Sequence, residues 1–584
     1  MWWEFHRLMD LTPEQLVDED GSVGLLVPVE PVDEERKGKQ TWRYVFPPQD
    51  FEAWRGEAYD PAHKQDCPND SPFTWTAGDI VELDPGARTV DIRRPVDRPH
   101  PRAIVPLPWV RTTAHQERLI EIGEWVAVHG IAGDGPHRAA RDLLMGRLPR
   151  AGQAPGAPLA AADESDLDAA RRLVRTLDHT TFAIQGPPGS GKTYSGARMI
   201  CTLLAAGRKV GITGTSHKVI GNLLTAVLKA AAEDVDVRPI QHGKPEQIVP
   251  DDRVVRARNA EDVHAQLDDG RANLAAGTSW LWASSKMLAA IDVLFVDEAG
   301  QISLANVVAM SPAAESIVLL GDPQQLDQPL QGSHPPGAER SALGHVLGEN
   351  ATIPGERGLF LETTWRLHPR LCAFTSEAFY DDRLESEAHL HVQRLAAGDV
   401  TVDGVGPRFI AHPTAGADNE SAEEAEVVAG IARSLVEGGA TWIDEHGVMC
   451  PVGWEDILVV APYNAQVGAI KRRLPLEARV GTVDKFQGQE APISLYSLTT
   501  SSPELAPRGM DFLYSRNRLN VATSRARCVA VVVASPDLLR VRARTPDQMR
   551  LANAFCQFVE HAAATAERPP PARPRVEVLT LGLE

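Results

Sequence analysis

The stretch "GPPGSGKT", residues 186–193, constrains the fold of this 584-residue chain more than any other feature. It matches the pattern GxxxxGK[ST] and lies between the short apolar run "TFAIQG" and a helical stretch, which is the context such a loop requires. The glycines let backbone N–H groups surround a phosphate, and the N-terminus of the following helix adds a partial positive charge. The stretch therefore predicts a strand–loop–helix unit that binds a nucleotide phosphate.

The residues of this loop have distinct predicted roles. We expect Lys192 to reach the β- and γ-phosphates and Thr193 to ligate Mg²⁺, so that the predicted cofactors are ATP and Mg²⁺. A chance glycine-rich turn is the alternative, and the flanking strand and helix count against it. The full predicted phosphate-binding set is Gly186, Pro187, Pro188, Gly189, Ser190, Gly191, Lys192 and Thr193.

Other apolar runs also end in polar residues and alternate with helical stretches. The runs "KVGITGTS", "IDVLFVDEAG" and "SIVLLGDPQQ" follow the loop, and this alternation predicts βαβ units in a parallel sheet. A second set comprises "DILVVAPYN", "ARVGTVDKFQGQE", "APISLYSLTT" and "CVAVVVAS", with no glycine-rich loop of its own. The predicted fold class is therefore α/β, with two such domains in tandem.

Changes in composition and in hydrophobic pattern along the chain suggest the domain boundaries. Residues 21–115 are rich in Pro, Gly and Trp and contain alternating segments around "DPGA", which is typical of a β-hairpin. The predicted divisions are an N-terminal helix over 1–20, a small β-barrel over 21–115, a helical stalk and linker over 116–178, a first α/β domain over 179–350 with a helical insertion at about 251–290, a second α/β domain over 351–545, and a C-terminal helix with a Pro-rich tail over 546–584.

Composition narrows the class of protein. Asp plus Glu outnumber Lys plus Arg by 79 to 59, which argues against non-specific coating of nucleic acid but leaves room for a local basic groove. Six cysteines are scattered without a CxxC pair, which is typical of reduced thiols in a cytosolic protein. No apolar run approaches about 18 residues, and the first residues lack the layout of a signal peptide. These features predict a cytoplasmic protein with no membrane partner.

Two acids, Asp297 and Glu298, follow the apolar strand in "LFVDEAGQ". Such a pair, taken alone, usually belongs to a solvated loop. Beside a phosphate-binding loop, Asp297 is expected to hold the Mg²⁺ shell and Glu298 to polarise the attacking water. A hydrolase needs both roles, whereas a kinase does not.

Further short stretches follow in a fixed order: "GDPQQL", "TTWRLHP", "TVDKFQGQE" and "RLNVATSRAR". Each of them, taken singly, is typical of a surface turn. Together with the loop and the acid pair they resemble the motif series of superfamily 1 helicases. The resemblance is strongest to the 5′→3′ branch that contains the nonsense-mediated-decay RNA helicase and the Okazaki-fragment nuclease-helicase, and it covers about residues 160–535.

This resemblance implies two RecA-like domains with ATP in the cleft between them. Arg525 matches the arginine that reaches across to the γ-phosphate, and Arg366 matches a second one. Gln325 and Glu490 match residues that couple the γ-phosphate to the nucleic-acid groove. Trp365 stands where the family usually has Tyr and would stack on the adenine.

The resemblance also implies where nucleic acid binds. Thr215 and Ser216 match the first-domain motif that contacts the nucleic-acid backbone, and Thr482 matches its second-domain partner. Hydroxyls hold phosphates without reading bases, so little sequence preference is expected. The N-terminal barrel would lean over the first motor domain on its helical stalk.

Some positions depart from the family pattern. The family usually carries an adenine-binding Gln about twenty residues before the loop, where this chain has Asp166, although Gln185 directly precedes the loop. Ser524 replaces the usual Thr in the last motif. Trp280 and Trp282 in "SWLWASS" suit either base stacking or a buried core.

The sequence thus predicts an ATP-dependent helicase or translocase on single-stranded nucleic acid, with DNA favoured over RNA and movement 5′→3′. One alternative is an ATPase that remodels protein–nucleic acid complexes without unwinding. A nucleotide-gated clamp is another, and a P-loop kinase a third, which the second α/β domain disfavours. Bacterial relatives often carry a RecB-like nuclease ahead of such a motor, so we expect this chain to be the motor part of a nuclease–helicase fusion.

Overall fold

The architecture is that of a computed structural model, which describes residues 2–19, 22–49, 56–66, 74–84, 86–106, 112–154, 156–232, 235–328, 337–398, 401–486 and 488–566. These residues form an N-terminal antiparallel sheet, a helical connection and two parallel sheets flanked by helices. The predicted α/β class is confirmed. Among the helices described, none has both the length and the apolar character needed to cross a membrane.

The N-terminal region is built on an antiparallel sheet. Its elements are α1 (Trp2–Leu8), β1 (Val27–Pro31), β2 (Lys39–Val45), β3 (Gly56–Tyr59), α2 (Pro61–Asp66), β4 (Thr76–Asp84), β5 (Thr89–Pro95) and β6 (Val105–Pro106). The strands lie in the order β1-β2-β5-β4-β3-β6. The hairpin predicted around "DPGA" is confirmed, because β4 and β5 pair antiparallel up to Asp84 and Thr89. Tyr44 and Trp75 are buried, whereas Trp54 lies outside the described residues. Closure of this sheet into a barrel stays a prediction.

Three helices connect this sheet to the first parallel sheet: α3 (Thr113–His129), α4 (Arg138–Leu144) and α5 (Asp166–Val174). Ser165 caps α5, its hydroxyl accepting from the Asp168 N–H at 3.2 Å, with Asp166 and Asp168 favourably placed in the first turn. Leu119, Ile122 and Val126 of α3 pack against the core of the parallel sheets. The connection thus attaches the N-terminal sheet to the first parallel domain.

The first parallel sheet has the strand order β10-β9-β11-β8-β12-β13-β7-β14. Apart from the edge strand β10, its strands are largely buried on both faces, which explains their continuous apolar runs. The elements are β7 (Thr181–Gln185), α6 (Lys192–Ala205), β8 (Val210–Thr213), α7 (His217–Ala230), β9 (Pro239–His242), β10 (Val255–Ala257), α8 (Ala260–Asp268), β11 (Leu274–Ala276), α9 (Ser279–Trp282), β12 (Ile291–Val296), α10 (Leu304–Met310), β13 (Ala314–Gly321), α11 (Ala342–Leu347) and β14 (Gly358–Phe360).

Two expectations about this domain are wrong. The segment at about 251–290 is not a helical insertion, because β10 and β11 belong to the sheet and β11 pairs with both β8 and β9. The boundary at 350/351 falls too early, because β14 pairs with β7. These strands have only three residues each, too few for hydrophobic periodicity to distinguish a strand from a helix turn.

The second parallel sheet has the order β18-β24-β23-β21-β22. A small antiparallel sheet, β17-β19-β20, lies beside it. The elements are β15 (Thr363–Thr364), α12 (Pro369–Phe379), β16 (Glu385–Ser386), β17 (Arg394–Ala396), β18 (Gly406–Ala411), α13 (Ala422–Glu437), β19 (Thr441–Ile443), β20 (Met449–Pro451), β21 (Ile457–Ala461), α14 (Asn464–Lys471), β22 (Arg479–Thr482), β23 (Ala491–Ser497), α15 (Gly509–Leu513), α16 (Arg516–Ser524), β24 (Ala526–Ala534) and α17 (Pro546–Ala566). The Pro-rich end of the chain, 567–584, lies outside the described residues.

Candidate active site

The predicted phosphate-binding loop connects β7 to α6. Gly189 and Gly191 have φ of 74° and 81°, a backbone region that glycine adopts without strain. The N–H of Gly186 donates to the carbonyl of Gly321 at 2.9 Å, and Lys192 Nζ donates to the carbonyl of Gly186 at 2.6 Å. The loop therefore opens a helix N-terminus beside a cationic side chain, which is the chemistry of an anion site.

The acid pair follows β12, next to this loop. Asp297 is buried, and its N–H donates to the carbonyl of Thr213 at 2.9 Å. Burial raises the pKa of Asp297 well above its ordinary value, and the charge of Glu298 raises it further. Glu298 has a φ of 54°, a left-handed conformation that costs a non-glycine residue roughly 1–3 kcal/mol. Such strain is often found at functional sites.

The turn after β13 carries a hydrogen-bonded network. The carboxylate of Asp322, which is buried, accepts from Gln325 Nε2 at 3.0 Å and from the hydroxyl of Tyr380 at 2.6 Å. Gln185 Nε2 lies 3.4 Å from the same carboxylate. Gln325 is buried as well, so its side-chain amide is held rather than free in solvent.

Arg525 joins the two parallel domains at this network. The residue is 3% exposed, and its Nη2 donates to Gln325 Oε1 at 3.2 Å. Burial lowers the pKa of Arg525 to about 9, Arg366 lowers it as well, and Glu298 opposes the shift. The guanidinium stays charged at pH 7, and it is close enough to Glu298 to interact with that carboxylate.

The second predicted arginine, Arg366, pairs with Glu490. Arg366 Nε donates to Glu490 Oε2 at 2.5 Å, and Arg527 hydrogen-bonds the other carboxylate oxygen. Arg527 also donates to Glu445 Oε2 at 3.2 Å. Burial alone would raise the pKa of Glu490, but Arg366 and Arg527 together hold it below its ordinary value. Glu490 is thus a carboxylate shared by two arginines.

The segment before α12 lies against the phosphate-binding loop. Thr364 Oγ1 donates to the carbonyl of Pro188 at 2.9 Å, and the N–H of Trp365 donates to the carbonyl of Gly189 at 2.9 Å. The Trp365 side chain is 60% exposed, and its ring centroid lies 6.2 Å from that of His389. The indole is therefore next to the loop and accessible to a base.

The three hydroxyl residues assigned to nucleic acid lie at strand ends. Thr215 and Ser216 follow β8 and are exposed, and Ser216 Oγ accepts from the N–H of Val219 at the start of α7. Thr482 is the last residue of β22, in register with Ala461 of β21. Both parallel sheets thus place a hydroxyl at a carboxyl end, and the role of these hydroxyls stays a prediction.

The two residues considered for adenine are engaged within the protein. Gln185 Nε2 donates to the carbonyl of Ala351 at 3.0 Å, and its Oε1 accepts from the N–H of Ile353 at 2.7 Å. Asp166 Oδ2 accepts from the N–H of Glu362 at 3.1 Å. Both polar atoms of the Gln185 amide and one carboxylate oxygen of Asp166 are therefore already hydrogen-bonded within the protein.

The two tryptophans of "SWLWASS" differ. Trp282 is buried, and its Nε1 donates to the carbonyl of Ile212 at 3.2 Å, so the core interpretation is confirmed for it. Trp280 is 45% exposed and packs edge-on against His115.

Three polar residues of the cleft were missed as individuals by sequence reasoning. Asp322 and Asn520 lie inside the quoted stretches "GDPQQL" and "RLNVATSRAR", which was the available signal. Tyr380 has no such signal, because it directly follows a helix whose sequence is typical of a protein core. Only its packing between the two domains distinguishes it.

Comparison with known proteins agrees with this geometry. Two models, each described as an AAA domain, match residues 163–334 and 339–537. The DNA replication ATP-dependent helicase/nuclease JHS1 of Arabidopsis thaliana is 25% identical over 414 residues, covering 66% of this chain and 29% of that protein. The Regulator of nonsense transcripts 1 homolog of the same plant is 23% identical over 450 residues, covering 69% of this chain and 35% of that protein.

A third relative is the DNA replication ATP-dependent helicase/nuclease DNA2 of Xenopus laevis, 23% identical over 390 residues, covering 62% of this chain and 36% of that protein. This chain therefore spans about a third of the length of these relatives. Among solved structures, the alignment with the Arterivirus nonstructural protein 10 (helicase) covers 86% of this chain and 78% of that protein, with 14% identity and a TM-score of 0.37.

Proposed function

We propose that this chain, which belongs to the superfamily 1 helicases of the type that includes DNA2 and the Regulator of nonsense transcripts 1 homologs, hydrolyses ATP between its two parallel domains and thereby moves along single-stranded nucleic acid. The observation that carries the proposal is that arginines of the second domain lie against the phosphate-binding motifs of the first domain. Arg525 donates to Gln325, and a Cβ on Gly189 would lie 2.5 Å from Arg366 Cβ. Arginines in this position stabilise charge that develops during phosphoryl transfer.

Nucleotide binding would fall to the first domain. Backbone N–H groups of 186–193 and the ammonium of Lys192 would hold the phosphates. Thr193 and Asp297 would hold Mg²⁺, since a hydroxyl and a buried carboxylate are the oxygen ligands that this cation takes alongside phosphates. When bound, the ion supplies positive charge to the phosphate oxygens.

Hydrolysis would use residues of both domains. Glu298 would orient the attacking water and accept its proton. Arg525 and Arg366 would neutralise the γ-phosphate in the transition state, a contribution of roughly 10³–10⁵ in rate in other nucleotidases. A cleft in which the arginines and the phosphate loop belong to different domains is catalytic only when the domains are closed.

Movement would follow from coupling this cleft to the nucleic-acid groove. Gln325 and Glu490 would transmit the state of the γ-phosphate, and the hydroxyls of Thr215, Ser216 and Thr482 would hold the sugar–phosphate backbone. Such contacts grip a strand without reading bases. We further propose single-stranded DNA as the preferred track, 5′→3′ as the direction, the cytoplasm as the location, and a nuclease as a partner of this motor.

The decisive experiment is the steady-state ATPase rate with and without single-stranded DNA or RNA. Strong stimulation is expected, and Glu298→Gln should abolish it because a general base contributes roughly 10²–10⁴ in rate. Glu315→Gln is the matched control, since Glu315 is an exposed acid of the same domain. An ATPase rate that neither DNA nor RNA changes would contradict the proposed motor function.

Duplexes with a single-stranded tail at either end test the finer assignments. Strand separation from a 5′ tail only would support the proposed direction, and separation from a 3′ tail only would contradict it. Hydrolysis without strand separation would favour a remodelling ATPase. Binding of nucleic acid that depends on ATP but proceeds without turnover would favour a clamp.

A further inference from the structure

Tyr380 occupies a buried position between the two parallel domains. It follows α12, its side chain is 0% exposed, and its hydroxyl donates to Asp322 Oδ2 at 2.6 Å. The same hydroxyl accepts from Asn520 Nδ2 at 2.9 Å. Tyr380 therefore links the turn after β13 in the first domain to α16 in the second.

The hydrogen bonds continue from Tyr380 to the arginine of the cleft. Asp322 Oδ2 also accepts from Gln325 Nε2 at 3.0 Å, and Gln325 Oε1 accepts from Arg525 Nη2 at 3.2 Å. A carboxylate only accepts, so it holds the donating end of the Gln325 amide. The accepting end is then directed toward the guanidinium, which only donates.

Asn520 docks the helix that carries the arginine. Its Nδ2 donates to the carbonyl of Gln324 at 2.8 Å in addition to the Tyr380 hydroxyl. Asn520 lies within α16, and Arg525 directly follows that helix. The helix thus contacts the turn at both of these residues and also at Asn517, whose Nδ2 donates to the carbonyls of Pro323, at 3.0 Å, and of Gln325. All these side chains are buried, and unmade hydrogen bonds in such a network are costly.

We propose that Tyr380 and Asn520 are positioning residues that fix the amide of Gln325 so that it receives Arg525 when the two domains close. This role rests on the proposed ATPase function. Neither residue reaches the reacting atoms in this arrangement, since both act through Asp322 and the turn at 322–325. The hydrogen bonds that join Asn520, Tyr380, Asp322, Gln325 and Arg525 in sequence form one relay. Loss of the Tyr380 hydroxyl is expected to break this relay and to leave the phosphate loop unchanged.

Tyr380→Phe removes the hydroxyl and keeps the ring packed between Phe360 and Phe379. The nucleic-acid-stimulated kcat should fall roughly 10- to 100-fold, the value of a hydrogen bond to a charged group, while the KM for ATP stays unchanged. Tyr514→Phe is the matched control, because Tyr514 is buried and its hydroxyl donates to the carbonyl of Leu538 at 2.7 Å, outside the cleft. Equal kcat in the two variants would overturn the inference.

A double-mutant cycle separates positioning from a purely structural role. In a Gln325→Ala background, Tyr380→Phe should cause no further loss of kcat, since the hydroxyl acts through Gln325. An additive loss would refute the relay.

The same cycle in the free energy of unfolding needs no turnover. Non-additivity there supports the relay and additivity rejects it, even if the parent protein proves inactive. A parent without nucleic-acid-stimulated hydrolysis would sink the proposed function alone.

Discussion

The two parallel sheets present opposite edges to the cleft between them. In the first, Gly186, Asp297 and Asp322 directly follow the carboxyl ends of β7, β12 and β13. In the second, Glu490 and Arg525 directly precede the amino ends of β23 and β24. Two domains of one architecture are therefore not interchangeable. The first edge carries the glycine-rich loop and buried acids, and the second carries Arg525 and the Glu490 carboxylate that Arg366 and Arg527 share.

The two domains also differ in the surroundings of their buried acids. Asp297 in the first domain and Glu424 in the second are both buried, and burial is the largest cause that raises the pKa of each. Glu424 is fully engaged on one oxygen, because Oε1 accepts from the Ser497 hydroxyl at 2.6 Å and from the Thr499 N–H at 2.7 Å. Burial and a raised pKa therefore do not by themselves identify chemistry, and the position relative to the phosphate loop does.

The largest effect is expected from Arg525→Ala, which removes one of the two arginines that the second domain brings to the cleft. The kcat for ATP hydrolysis should fall roughly 10³- to 10⁵-fold, while the affinity for ATP, set by the first domain, is retained. Single-turnover hydrolysis and equilibrium nucleotide binding separate the two quantities. Arg540→Ala is the control, since that side chain is 83% exposed. Comparable loss of ATP binding in Arg525→Ala would break the division between the sheets.

The next effect compares the two buried acids. Asp297→Asn should reduce kcat roughly a thousandfold, because metal-held charge is worth several kcal/mol and ~1.4 kcal/mol is a factor of ten. Glu424→Gln should leave kcat essentially unchanged. ATPase assays on both variants at saturating Mg²⁺ make the comparison, and an inactive, folded Glu424→Gln protein would contradict it.

Although Glu424→Gln should not change kcat, it should change the free energy of unfolding. The Glu424 pKa of about 7 exceeds the ordinary value of 4.5, so the folded state binds the extra proton and stability falls as pH rises from about 4.5 to about 7. Glu424→Gln lacks this loss. Its free energy of unfolding should rise relative to the parent over that window by roughly 3 kcal/mol, since one pKa unit corresponds to about 1.4 kcal/mol. Denaturant melts at several pH values measure it, and a difference that does not vary with pH would contradict it.

A smaller effect probes the contact between the domains. Gly189 and Gly207 share a φ of 74°, but a Cβ on Gly189 would lie 2.5 Å from Arg366 Cβ and 2.7 Å from Thr364 Oγ1, whereas a Cβ on Gly207 meets nothing within 4 Å. Gly189→Ala should reduce kcat/KM for ATP roughly a hundredfold by displacing the loop. Gly207→Ala should cost only backbone strain, roughly 1–2 kcal/mol of stability. Equal kinetics in the two variants would show that the close approach is unimportant.

The smallest effect concerns the N-terminal sheet, which contacts the second domain through its β4–β5 hairpin. Arg88 Nη2 lies 3.2 Å from Glu420 Oε2, and Arg472 Nη2 lies 3.0 Å from Glu420 Oε1. These pairs are partly exposed, so Arg88→Ala should change the free energy of unfolding by less than about 1 kcal/mol. A double-mutant cycle with Glu420→Ala measures the coupling, and a value several times larger would make this contact an integral part of the second domain.

The secondary structure of this chain is predictable from its sequence in some regions and not in others. Long apolar runs such as β13 and β24 were found, because parallel strands buried on both faces are continuous in sequence. Three-residue strands β10, β11 and β14 were missed, because their assignment depends on pairing partners far away in the chain. The hairpin at "DPGA" was found from its turn residues, whereas the closure of its sheet depends on edges that no local pattern describes.

The amino-acid sequence by itself determined the phosphate loop, the acid pair and the order of motifs, since each is a local arrangement of residue types whose chemistry depends on short spacing. Tertiary structure alone decided which side chains meet across the cleft. Arg525 reaches Gln325 over 200 residues of chain, and Tyr380 joins Asp322 to Asn520 without any motif of its own. Such pairings follow from the packing of two separate domains against each other, and a hydrogen bond between distant residues has no signature in the sequence of either one.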